Sequence, residues 1–208
     1  MRKTRMPLKG LIVDNGTGSG RGYPDQAEIV FDRVVTCRQF QPDLSSYDLL
    51  IVPNGSDHVA MLRIRDQVKQ MLDGGKSVFC FCGWFTDWLP GHRWFHDNSH
   101  PTKEVRHFIG NDPHGLLSGF DPTDLDRNAH GISGWWACGA IESDDPTSVL
   151  IRDTWGRSLV VADDESTNGF MFLTASGPVG DYSLYPAWSS LSVLYKNALQ
   201  HVIRRSNR

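Results

Sequence analysis

Residues 47–83 constrain this chain more than any other stretch. The run "YDLLIVPN" (47–54) is apolar through Leu49-Leu50-Ile51-Val52 and closes on Pro-Asn-Gly. A segment of helical spacing, "DHVAMLRIRDQVKQMLDGG" (57–75), follows it. Val59, Leu62, Val68, Met71 and Leu72 fall on one stripe, Asp57 stands near the start and Gly74-Gly75 closes the end. A second apolar run, "KSVFCFCG" (76–83), comes next. Strands without polar alternation are buried on both faces, which is the condition of a parallel sheet sandwiched by helices. Strand, helix and strand at this spacing predict a right-handed βαβ unit.

The rest of the chain extends that unit. "KGLIVDN" (9–15) reads as another buried parallel strand, running into the glycine-rich loop "GTGSGRGYPD". "QAEIVFDRV" (26–34) is expected as a short helix, and "VVTCRQF" or part of it as a strand. From Trp84 to about Ala129 periodicity vanishes among His, Asp, Pro, Gly and Trp, which predicts an insertion or cap over the strand ends. "HGISGWWACGAI", "SVLIRDTWGRSLVVAD" and "NGFMFLTA" read as strands, the second a hairpin turning at Asp153-Thr154-Trp155-Gly156. "AWSSLSVLYKNALQHVIRR" is an amphipathic helix with Leu191, Leu194, Tyr195, Ala198 and Val202 on its buried stripe. The expectation is one domain over 1–208, an α/β, flavodoxin-like three-layer sandwich with a mostly parallel sheet and a His/Trp-rich cap at 84–130.

A chain of 208 residues with net charge −3 can bury a real core and gives no reason to expect nucleic acid or a membrane as partner. The basic start leads only to the short run "GLIV", so neither a secretory signal nor a membrane span is read. Cys80 and Cys82 share one strand face and are badly placed to bond each other. Their C-x-C spacing signals neither zinc nor a redox pair. A reduced, cytoplasmic protein is expected. "DNGTGSGRG" matches neither G-x-G-x-x-G nor a P-loop, so no cofactor is expected, although Asn15 and Gly16 sit where loops line ligand crevices.

Taken together, "LIVDN", "YDLLIVPNG", the helix reaching "LDGGKSVFCFCG" and the later "NDPHGLLSGF" resemble the class I glutamine amidotransferase-like superfamily. The likeness is greatest to its ThuA-like (trehalose-utilisation) branch and to the trimerisation domain of bacterial beta-galactosidases. The resemblance implies the fold given above, with a crevice at the carboxyl ends of the strands. It also implies that the loop at Gly55 could present an oxyanion-hole N–H. The amidotransferase elbow G-x-C-x-G, laid on residues 79–83, puts Phe81 at the nucleophile. Beyond residue 130 the only histidine is His201, so no H-x-E follows. A thiol nucleophile needs a base and a group to orient it. Glutamine hydrolysis is therefore not expected.

Candidate binding residues are Asn15, Gly16, Asn54, Gly55, His58, Gly83, Trp84 and Asp87. Cys82, off register, and His58 are the weak catalytic candidates, against a plain reading of Cys82 as buried filler. Ser56 or Asp57 is expected to cap the helix start. Six of the eight histidines lie in 84–130. His92, His96 and His100 are the metal candidates, but the segment lacks H-E-x-x-H, and Pro90, Gly91, Asn98 and Pro101 oppose a helix that would stack them. An ordered cap without metal, anchored by Trp84, Trp88 and Trp94, is the expectation. The leading functional reading is a non-catalytic binding or assembly domain, with a polar small molecule or sugar, a protein partner or a second copy as its ligand. The alternative is a hydrolase acting on a carbohydrate or amide through the capped pocket.

Overall fold

The computed structural model describes residues 6–14, 16, 22–81, 83–126, 135, 137–177, 179 and 189–207. The βαβ unit is present. Strand β1 (Leu8–Asp14), β3 (Leu49–Val52) and β4 (Ser77–Phe81) run parallel. The helix between β3 and β4 is broken at Ile64 into α1 (His58–Arg63) and α2 (Arg65–Asp73). The break turns Met61, Ile64, Val68, Met71 and Leu72 into the core and leaves Val59 exposed, contrary to its place on the expected stripe.

The segment expected as a helix at 26–34 is strand β2 (Ile29–Val35), parallel to β1 at the sheet's edge. Ile29 and Phe31 are buried, whereas Val30 between them and Asp32 beyond are exposed. That period of two, with β-branched residues at Ile29, Val30, Val34 and Val35, is a half-buried strand and not a helix.

Beyond β4 the sheet continues through β10 (Phe170–Thr174), parallel to it, and then antiparallel through β9 (Ser158–Asp163), β8 (Val149–Asp153) and β6 (His107–Ile109). The eight strands stand in the order β2-β1-β3-β4-β10-β9-β8-β6. The hairpin between β8 and β9 turns where expected, with the Gly156 N–H donating to the Asp153 carbonyl at 2.9 Å. A small antiparallel pair, β5 (His92–His96) and β7 (Gly139–Ser143), lies apart from the main sheet. The 84–130 segment is thus more regular than its sequence. It supplies β5, the sheet-edge strand β6 and the single turn α3 (Thr123–Asp126).

One face of the sheet is aromatic. Phe79 and Phe81 of β4 pack on Phe172 of β10 at ring distances of 5.3 and 6.0 Å, with Tyr195 of α4 (Ser189–Arg205) above them. All five stripe residues of α4 are buried. Alternation along β4 sends Val78 and Cys80 to the opposite face, where α2 packs. Three layers result, and the described residues form a flavodoxin-like α/β fold with a mostly parallel sheet. No helix among them is long and apolar enough to cross a membrane.

Candidate functional site

Open parallel sheets bind ligands where the strands end at their carboxyl edge, because the loops diverge there. In this chain that edge is formed by Asp14, Pro53-Asn54-Gly55, Gly83, and Ala175 to Gly177 after β10. Asn15 and Cys82, two of the expected site residues, lie outside the described residues. Gly16 is open to solvent at φ 85°, its N–H donating to Asp14 Oδ1 at 2.7 Å. Gly55 is exposed in a left-handed turn at φ 78°. Asn54 packs on Gly177 so closely that a Cβ there would meet the asparagine's own Cβ at 2.7 Å.

The space over β4 is taken by an indole. Trp94 of β5 lies between Gly83 and Gly139, and a Cβ at either would come within 2.4 Å of its ring. Its Nε1–H donates to the Ala175 carbonyl at 3.2 Å, joining the small sheet to the loop after β10. Trp84 and Trp88 are also buried. Phe81, the residue at the elbow position, is fully buried and stacks on Tyr23 at 6.2 Å and 13°. Outside this seal the surface stays aromatic. Phe85, 75% exposed, meets Trp94 edge-on at 4.8 Å, and exposed His96 stacks on the indole at 6.2 Å.

His58 turns inward. It is 8% exposed, and its Nδ1 accepts from Trp88 Nε1 at 3.3 Å while its carbonyl accepts from Thr86 Oγ1. Burial, opposed by the charge of Asp57, lowers its pKa to about 4, so it is a neutral structural acceptor at pH 7. Asp57 caps α1, accepting from the N–H groups of Val59 and Ala60 at 3.0 Å each. Ser56 donates instead to the Pro53 carbonyl. Asp87 is exposed beside Arg65, Asp66 and Lys69 in a shallow hollow that Trp88 floors. Two further hollows, of about 260 and 210 Å³, open at the opposite edge of the sheet. One is lined by Asp43, Gln67, Gln70 and Lys76, the other by Pro7, Glu28, Ile203 and Asn207.

His92, His96 and His100 are not brought together. His92 is buried against β9, with Nε2 2.6 Å from Asp163 Oδ2 and neither side chain exposed. Despite its burial, Asp163 is held ionised by hydrogen bonds from His92 and from the N–H groups of Glu165 and Ser166. This His–Asp pair has the composition of a catalytic dyad, but nothing outside the core can reach it. His96 lies on Trp94, and His100 stacks on Trp155 at 4.1 Å. His107, also buried, is pinned by Asp126 at 2.8 Å. Among the described residues, the grouping able to hold a metal is a different one, His114, Asp164 and His201. Their wide separation in sequence hides it.

No family model and no curated protein sequence matches this chain. Solved structures do. Similar folds include PurLQS from Thermotoga maritima, at a TM-score of 0.59 and 14% identity, covering 95% of this chain and 100% of that one. A glutamine amidotransferase from Thermotoga maritima matches at a TM-score of 0.56 and 8% identity, over 97% and 96%. A GH42 beta-galactosidase from G. stearothermophilus matches at 0.53 and 13% identity, over 94% of this chain but 30% of that one. At these identities the likeness is one of fold. The described residues have the class I glutamine amidotransferase-type fold, with a tryptophan seated over the end of the central strand.

Proposed function

We propose that this chain is a non-catalytic amidotransferase-like domain that works by binding or assembly, through the surface that covers its strand ends. The observation that carries this reading is the seat of Trp94 against Gly83. Buried apolar rings occupy the space over β4, where an enzyme of this fold would need a nucleophile, a base and room for a reacting carbonyl. Phe81 at the elbow and the neutral, inward His58 support the same reading. The ThuA-like likeness belongs to this proposal, as does the parallel with the trimerisation domain of beta-galactosidases, since a sealed fold can still serve as a docking module.

The contact surface in this reading is the aromatic platform of Phe85 and His96 around the Trp94 rim. Large exposed aromatic groups with polar neighbours suit a protein surface or the face of a sugar ring. Light scattering tests the assembly form directly. The expected mass is that of an oligomer, falling to the monomer in Phe85→Ser. A monomer that is unchanged by the substitution and takes up no saccharide in calorimetry would sink the proposal. Hydrolysis of an amide or glycoside by the purified chain would do the same.

A further inference from the structure

We propose that His114, Asp164 and His201 form a site for one divalent transition-metal ion of the zinc class. Three separate parts of the chain meet there: the loop between β6 and α3, the first residue beyond β9, and the penultimate turn of α4. One ligand atom from each lies within 4.8 Å of the other two. His114 Nε2 stands 3.2 Å from Asp164 Oδ1, and the two imidazole rings are 4.5 Å apart. His201 Nε2 is buried and has no hydrogen-bond partner. A ring nitrogen left so has lost its hydration without compensation, which an ion bound there would offset. Two imidazoles and a carboxylate suit zinc, cobalt or nickel, and are too few oxygens for calcium or magnesium.

The surroundings fit the same use. Asp164 Oδ2 accepts from Arg205 Nη1 at 2.8 Å, which fixes the carboxylate from behind and leaves Oδ1 turned toward His114. The Arg205 charge lowers the affinity for a dication, so the site is selective through its imidazoles and not through charge. His114 and Asp164 keep 16% and 20% of their side-chain surface exposed, giving the ion a path in and a fourth position for water. Zinc ligand distances of about 2.0–2.2 Å put tetrahedral donors roughly 3.4 Å apart. His114 Nε2 and Asp164 Oδ1 already have that spacing at 3.2 Å, so the closing falls to His201. Closing would draw α4 onto the turn after β9, so the ion would act as a staple for the last helix.

The test uses untagged protein stripped by a chelator. Zinc titrated by calorimetry is expected to bind at one ion per chain and to raise the melting temperature. Cobalt is expected to give a visible absorption band of histidine ligation. His114→Ala should weaken zinc binding at least about tenfold, since even outer-shell partners of a metal are worth about 10–100-fold. His100→Ala, which loses only a stack on Trp155 away from the site, should leave binding unchanged. If His114→Ala fails to fold, Asp164→Asn and the cobalt spectrum of the unaltered chain take its place. Absence of the cobalt band, or a folded His114→Ala or Asp164→Asn that titrates like the parent, would overturn the site and leave a metal-free His–Asp–Arg clasp.

Discussion

Gly83 decides what the strand end can do. Its missing side chain is the room in which the Trp94 indole lies, at 2.4 Å from where a Cβ would stand. Gly83→Ala should therefore force the ring or the backbone aside and cost about 1–3 kcal/mol in urea unfolding, as overpacking does. A second residue-scale prediction concerns His58, whose folded pKa is about 4 against 6.5 for the free side chain. Between those values the unfolded chain binds the extra proton. The His58 contribution is thus fully present above about pH 6.5 and is lost as pH falls toward 4. At roughly 1.4 kcal/mol per pKa unit, about 1–2 kcal/mol should be gone by pH 5. His58→Gln, which keeps an acceptor for Trp88, should flatten that part of the stability profile measured by denaturant titration from pH 7 to 4. A parallel profile in the variant would contradict the neutral, buried assignment.

At the scale of elements, the buried pair His92–Asp163 ties β5 to the end of β9. Removing one partner strands the other in the core, and His92→Ala should cost about 3–5 kcal/mol. Asp57→Ala should cost about 1 kcal/mol, the loss of one helix cap. Both are read as midpoint shifts in urea. These elements also show what the sequence could and could not disclose. β1, β3, β4 and β10 were legible because their buried residues are apolar except Ser77 and Thr174, and the β8–β9 turn and α4 stripe were legible from turn chemistry and helical spacing. β2 was misread because its edge position buries only alternate residues, and Asp32 and Arg33 break the apolar run. β5 was missed because its inward positions hold His92 and Trp94, whose burial depends on Asp163 and on two distant glycines. No local pattern encodes such partners. The same limit hid the grouping of His114, Asp164 and His201, which only the folded chain brings together.

At the scale of the whole molecule, the described residues form an α/β sandwich in which Trp94, from the inserted segment, lies over the end of β4. Part of this is visible in the sequence, in the Phe at the elbow and the absent H-x-E. The indole seated against Gly83 is visible only in the fold. The proposal that this edge does not carry out amide hydrolysis is tested by ammonia release from glutamine by the purified, untagged chain. Release no greater than the buffer blank, unchanged in Cys82→Ala, is the expected result. Release well above the blank that vanishes in Cys82→Ala would contradict it.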